Sequence, residues 1–259
     1  MGLREWLGIS PRSGRRVAKH LLLTRYNIEF HWKYPDGKTG LDPAYLGPRG
    51  ELFRRFCVPS VQSQTSKDFE WLVLFHPDTP PVHYECLAGT ATVILARDLE
   101  EATAIITRDH LQPGCILSTR MDNDDCIAPD FIAATRKTAD RELERRSLWR
   151  RDFVVTPQRG AVASLNDGLW RPQFRRSPSY ISLLWNERPG KPWRSPLHVH
   201  HGNHRYRLVR VEHEGPLWLS MIHGQNLRRR WRPDPSDKDL ATATLYFPSL
   251  KAIQDASAI

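Results

Sequence analysis

Three short apolar runs, each about one strand long, are separated by stretches of helical periodicity, and this alternation limits the fold more than any other feature. The runs are Leu21-Leu22-Leu23, Phe69 to Phe75 and Cys115 to Arg120. Unbroken apolar character over so few residues marks strands covered on both faces, as in a parallel sheet. Between them, Glu51 to Gln64 reads as a helix with Leu52, Phe53, Phe56, Val58 and Val61 on one face, kinked at Pro59. Further helices are predicted near Val82 to Leu87 and around Asp98 to Arg108. Another opens at Pro129 and extends towards Arg151, with Phe131, Ile132, Ala139 and Leu143 inward. A strand is predicted near Thr92 to Ala96, and a loop over the Gly-, Pro- and Asp-rich stretch Tyr34 to Gly50. The second half is more β-like, with strands at Phe153 to Thr156, Gly160 to Leu165, Tyr180 to Leu184 and Leu217 to Ile222. The expected fold is α/β: a mixed, mainly parallel sheet flanked by helices.

The chain has 259 residues, enough for one such domain. Residues 1–18 read as a basic leader, 19–232 as the single domain and 233–259 as a C-terminal tail. No apolar run approaches the roughly 18 to 20 residues that span a bilayer. The leader lacks the apolar core of a signal peptide. Cys57, Cys86, Cys115 and Cys126 form no Cys-x-x-Cys pair, so reduced thiols and a cytoplasmic location are expected. The net charge of +9, carried mostly by arginine, favours anionic partners.

The strand Cys115 to Arg120 runs directly into Met121-Asp122-Asn123-Asp124-Asp125. In open α/β sheets, ligands bind beyond the carboxyl ends of strands. Asp122 and Asp124 are two residues apart, so an extended segment puts both on one face. A Mg²⁺ or Mn²⁺ ion bound to a diphosphate needs only one or two protein carboxylates and acts as a Lewis acid on the departing phosphate. The competing structural reading is that Asp124 or Asp125 caps the helix that starts near Pro129.

Pro59-Ser60-Val61-Gln62-Ser63-Gln64-Thr65, followed by Asp68-Phe69-Glu70-Trp71, resembles a segment of inverting glycosyltransferases of the GT-A fold. Thr119-Arg120-Met121-Asp122-Asn123-Asp124-Asp125 is similar to their Asp-x-Asp region. With Leu21-Leu22-Leu23-Thr24-Arg25-Tyr26-Asn27 and the late Trp218-Leu219-Ser220-Met221-Ile222-His223-Gly224-Gln225-Asn226, the chain resembles the rhamnosyltransferase family over roughly residues 20–230. That resemblance implies a GT-A-like, Rossmann-like sheet and a nucleoside-diphosphate sugar donor. The acceptor would be a saccharide or glycolipid hydroxyl, as in polysaccharide or glycolipid assembly. It places Thr24, Arg25 and Asn27 near the nucleotide and Asp78 near the base or ribose, with Arg120 and Asp122 against the donor. Asp122, Asp124 and His223 would hold the Mn²⁺ or Mg²⁺, with Asp125 in support as a catalytic candidate. The second strand ends Phe75-His76-Pro77-Asp78, where the wider class often has an acidic residue, which is a departure.

An inverting transfer needs a general base. Glu187, after the strand Tyr180 to Leu184, and Asp167 are the candidates. His198, His200, His201 and His204 form a second histidine group without a cysteine partner at zinc-site spacing, and surface or hydrogen-bonded positions are the favoured reading for His198, His200 and His204. Trp149, Trp170, Trp185 and Trp193 flank the acceptor half and offer faces for sugar rings. Two rivals remain. A metal-dependent phosphohydrolase or nuclease could use the carboxylates and histidines, but leaves the Ser-Val-x-x-Gln-Thr segment without a role. A nucleic-acid binder would explain the charge, yet no such motif is present and no nucleic-acid partner is expected. Arg12, Arg15, Arg16 and Lys19, or Arg228, Arg229, Arg230 and Arg232, suit peripheral contact with an anionic membrane at its cytoplasmic face.

Overall fold

The computed structural model describes residues 16–29, 39–145, 151–176, 178–198, 206–223 and 231–251. Its centre is a seven-stranded sheet. The first half contributes β1 (Val17–Arg25), β2 (Glu70–Phe75), β3 (Thr92–Leu95) and β4 (Cys115–Asp122). The short β5 (Cys126–Ile127) belongs elsewhere, and the second half adds β6 (Phe153–Thr156), β9 (Ser182–Asn186) and β10 (Arg207–Arg210). The order is β10-β6-β9-β4-β1-β2-β3. β1 is parallel to β2 and β4, β2 to β3, and β10 to β6, while β9 alone runs against its neighbours β4 and β6. The mixed, mainly parallel sheet is therefore as the apolar runs predict.

Both faces are buried, which explains why these strands read as unbroken apolar runs. Leu22, Trp71, Val73, Phe75 and Leu117 face one layer, whereas Leu21, Leu23, Leu72, Leu74 and Ile116 face the other. The second layer is closed by α3 (Leu99–Asp109), through Ala102 and Ile106. Asp98 caps this helix by accepting from the Glu101 N–H. The first layer is closed by α4 (Phe131–Glu144) and by a helix that starts earlier than its periodicity suggests. That helix comprises α1 (Pro43–Leu52), a π-helical turn (Phe53–Cys57) and α2 (Val58–Gln62). Asp42 caps it and Pro43 opens it, so part of the expected loop is helical. Pro59 does not break it. Pro59 lacks an N–H and crowds the carbonyl four residues back, and the wider π turn ends just before it.

A second sheet, in the order β12-β8-β7-β11-β5, packs on the first layer. It adds β7 (Arg159–Ser164), β8 (Leu169–Phe174), β11 (Trp218–Ile222) and β12 (Lys238–Asp239). Gly160 is required here: a Cβ at that position would overlap the Trp218 indole. Residues 233–251, expected as a tail, pack instead on this sheet, with Leu240, Phe247 and Leu250 in the core. None of the helices among the described residues is long and apolar enough to cross a membrane.

His20 sits in the centre of the main sheet at 1% exposure. Its Nε2 lies 2.7 Å from Thr119 Oγ1, which lies 2.6 Å from Ser182 Oγ, so a polar chain crosses β1, β4 and β9. Burial, helped by the charge of Arg136, pushes its pKa down to about 3. The unfolded chain then takes the proton first, so stability is complete above the unfolded value of about 6.5 and falls as pH drops towards 3. Urea denaturation should show a loss of about 1.5 kcal/mol from this group between pH 6.5 and 5. His20→Met should remove that slope, and an equal slope in both proteins would show that His20 is not its source.

Candidate active site

The order of the main sheet puts β2 on one side of β1 and β4 on the other. The carboxyl ends of β1 and β4 therefore flank the point where the chain reverses direction across the sheet, the usual ligand crevice in such folds. Arg25 and Asp122 are register partners at that edge. Asp122 ends β4, and its carboxylate accepts from Arg120 Nη2 at 2.9 Å. The side chain of Asp122 retains 30% exposure, which leaves part of it open to the crevice.

The chain then leaves the main sheet. Asn123 donates from Nδ2 to the Tyr26 carbonyl at 3.2 Å. Asp124 is buried, and its Oδ2 accepts from Arg49 Nη1 on α1 and from His223 Nε2 at 3.0 Å. Burial pushes the Asp124 carboxyl up, but the Arg49 charge and the His223 hydrogen bond more than offset it and hold the group below its usual range. His223 immediately follows β11, which β5 brings alongside the acidic run through the antiparallel pairs Trp218–Ile127 and Leu219–Cys126. The late Trp-Leu-x-x-x-His segment thus reaches the Asp run because one strand of two residues joins the sheets.

Asp125 does not face the crevice. Its Oδ2 accepts from the Tyr180 hydroxyl and its Oδ1 from the Met221 N–H at 2.8 Å. Burial, then the charges of Asp124 and Asp122, raise its carboxyl pKa well above the ordinary range. Both oxygens are used internally, which does not match the expectation of a catalytic carboxylate open to the crevice. The helix-cap reading of Asp124 and Asp125 also fails, because α4 starts only after Asp130.

Other expected site residues divide in the same way. Thr24 is fully buried and accepts from Trp71 Nε1 at 3.0 Å, so it is a packing residue. Asn27 is 4% exposed. It binds Gly40 O, Thr79 Oγ1 and the His76 N–H, tying the ends of β1 and β2 together. Asp78 projects from the loop after β2, with 78% side-chain exposure and His76 3.7 Å away. Glu187 is a correction. It follows β9, which runs antiparallel, and it accepts from the Gly114 N–H before β4 at 2.9 Å. It therefore lies at the opposite edge of the sheet, about 25 Å from Asp122 along β4. Asp167 is on the correct side, three residues beyond Ser164, whose register partner is Ile222 next to His223. His198 is bound to Ser195 and to Thr103 on α3, away from the carboxylates. His200, His201, His204, Arg12, Arg15, Trp149, Gly224, Gln225, Asn226, Arg228, Arg229 and Arg230 lie outside the described residues.

Arg49 is the residue that sequence reasoning missed, hidden in Gly47-Pro48-Arg49-Gly50, which reads as loop. A cleft of about 500 Å³ is lined by Arg159, Phe174, Arg210 and His213 and by none of these site residues. Among the described residues, no group of three His, Cys, Asp or Glu side chains is arranged to hold a metal ion.

A family model described as "Putative rhamnosyl transferase" matches residues 38–233. The chain belongs to this family. The match includes α1, β4 with the acidic run, and β11, while β1 on the other side of the crevice lies before it. Family membership points to glycosyl transfer, which implies a sugar donor and an acceptor. No curated protein matches the chain. Among solved structures, it is similar to the crystal structure of mannose-6-phosphate isomerase from Helicobacter pylori. That match has 14% identity over 65% of this chain and 70% of the other, with a TM-score of 0.30, a level that carries no argument.

Removing the Asp125 carboxylate takes away the acceptor of the buried Met221 N–H bond at 2.8 Å and the closer of two acceptors of the Tyr180 hydroxyl. Asp125→Ala should cost about 3 kcal/mol in urea denaturation, and Asp125→Asn should recover part of the loss. A loss under about 0.5 kcal/mol would mean that the two hydrogen bonds do not tie the sheets.

Proposed function

We propose that the protein transfers a sugar, rhamnose by the family's description, from a nucleoside-diphosphate donor to a hydroxyl acceptor at the crevice between β1 and β4. The observation that carries this reading is the convergence of Asp122, Asp124 and His223 at that edge from two different sheets. The strand order, with only β9 reversed, supports a GT-A-like architecture.

The donor set fits a hard divalent cation as a two-donor pair. Asp124 Oδ2 and His223 Nε2 lie 3.0 Å apart, and Mg²⁺ or Mn²⁺ bound to a diphosphate needs only one or two protein ligands. Such an ion, when bound, would neutralise charge on the departing nucleoside diphosphate. Asp122, held by Arg120, faces the nucleotide side, and Arg25 opposite it supplies positive charge. Asp125 and Tyr180 hold β11 so that His223 meets Asp124. With Glu187 at the other edge, Asp167 is the carboxylate on the side of His223 for taking the acceptor proton. An acceptor carried on a glycolipid would sit at an anionic surface, which the charge of +9 favours.

The phosphohydrolase reading gains nothing here. His198 points away from the carboxylates, and each acidic side chain in the run already has a basic or hydrogen-bonding partner. Calorimetric titration of UDP, GDP and dTDP, with and without Mn²⁺, should show metal-dependent binding of one nucleotide. Asp124→Asn, confirmed as folded by circular dichroism, should weaken it at least about tenfold, or 1.4 kcal/mol. If no nucleotide binds under any metal condition, the transferase reading fails.

A further inference from the structure

Arg49 lies near the end of α1 and is only 7% exposed. Its Nη1 donates to Asp124 Oδ2 and, more weakly, to Asn123 Oδ1 at 3.4 Å. Its guanidinium stands over the Tyr45 ring, 5.2 Å from the centroid. Its Nε is buried without a hydrogen-bond partner. The Asp124 oxygen that Arg49 occupies is the same one that receives His223 Nε2. A divalent cation held by Asp124 and His223 would sit about 2 Å from both donor atoms. A guanidinium on that oxygen and a cation beside it repel each other, so the two compete for Oδ2.

We propose that Arg49 is an exchangeable counter-ion: it neutralises Asp124 until a cation–diphosphate complex arrives, then yields the carboxylate to the cation and turns its donors to the diphosphate. This inference rests on the glycosyl-transfer reading for the identity of the diphosphate, but not for the competition at Asp124. The unpartnered Nε–H is what makes the second position favourable. Arginine presents a planar fork of donors that matches phosphate oxygens, and a buried N–H without an acceptor is costly. The exchange keeps the buried Asp124 charge paired at every stage, whereas an unpaired carboxylate at that depth would be strongly disfavoured. It also makes cation and nucleotide binding cooperative: the cation alone has to displace Arg49 with nothing to receive it, and the diphosphate supplies that receiver.

The test uses the full chain, with Mn²⁺ alone and with UDP, GDP and dTDP as probes. Free Mn²⁺ is followed by electron paramagnetic resonance, and nucleotide binding by calorimetry. In the wild type, Mn²⁺ alone should bind weakly, and the nucleotide should strengthen it. Arg49→Met should bind Mn²⁺ alone about tenfold more tightly, because its competitor is gone. The same variant should bind the nucleotide in the presence of Mn²⁺ about tenfold more weakly, because its diphosphate partner is gone. These opposite signs are what a purely structural arginine would not produce. Arg49→Lys keeps the charge without the fork and should leave Mn²⁺ binding near the wild-type value while weakening the nucleotide. If Arg49→Met does not fold, Arg49→Gln carries the same comparison. Unchanged or weaker Mn²⁺ binding in the folded variant overturns the proposal, as does Mn²⁺ binding to neither protein, since Arg49 would then be a permanent partner of Asp124. If the wild type binds Mn²⁺ but no nucleotide, the transferase reading fails, and the Mn²⁺ comparison alone still decides whether Arg49 and the cation compete.

Discussion

The two sheets meet at one carboxyl group. Asp125 receives the Tyr180 hydroxyl from the approach to β9 and the Met221 N–H from β11, while its own backbone joins β4 to β5. Tyr180 stacks in turn on Trp218, with ring centroids 5.0 Å apart. Trp218 fills the space that Gly160 leaves and donates to the Pro157 carbonyl at 2.6 Å. A line of contacts thus runs from the acidic run to the start of β7. Buried polar groups of this kind fix one arrangement because every alternative leaves one of them unpaired. The position of His223 relative to Asp124 depends on that line, as does the geometry of anything the pair could bind.

Charge in the site is balanced locally. Asp122 is matched by Arg120 and Asp124 by Arg49, with His223 hydrogen-bonded to the same Asp124 oxygen. Asp125 forms no ion pair among the described residues, and burial beside two like charges raises its carboxyl pKa well above the ordinary range. Three carboxyl groups within four residues would repel one another strongly if all were ionised and unpaired. The arginines come from different elements, β4 and α1, so the local balance requires the tertiary fold.

Much of this was legible in the sequence, and what was not has physical reasons. The strands of the main sheet could be read because both faces are buried, so Leu21, Leu22 and Leu23 are all apolar. The acidic run could be placed at a strand end because Cys115 to Met121 lead into it without a break. Strand direction could not be read: β9 looks like any apolar strand, but it runs backwards, which sends Glu187 to the wrong edge. Thr24 and Asn27 are polar residues at a strand end, and only tertiary contacts reveal their hydrogen bonds to Trp71, Thr79 and His76. Arg49 was hidden by its neighbours. Glycine and proline usually announce a loop, but Pro43 and Pro48 are accommodated in a helix that Asp42 caps and that buries Leu46 and Arg49.

The π turn at Phe53–Cys57 has a consequence for how this helix addresses the acidic run. Arg49 reaches Asp124, and the Cys57 thiol lies 3.9 Å from the Asp122 carbonyl. In an uninterrupted α-helix, residues eight apart point about 80° away from each other. One extra residue taken up by a wide turn reduces that to about 20°, so both side chains address the same loop. The turn therefore acts as a phase correction between the two halves of the helix. Wound as plain α-helix, the same residues would turn the first half of the helix by about 100° relative to the second and carry Arg49 away from Asp124, whereas deleting one residue of the turn would return it to plain α-helix with the phase kept.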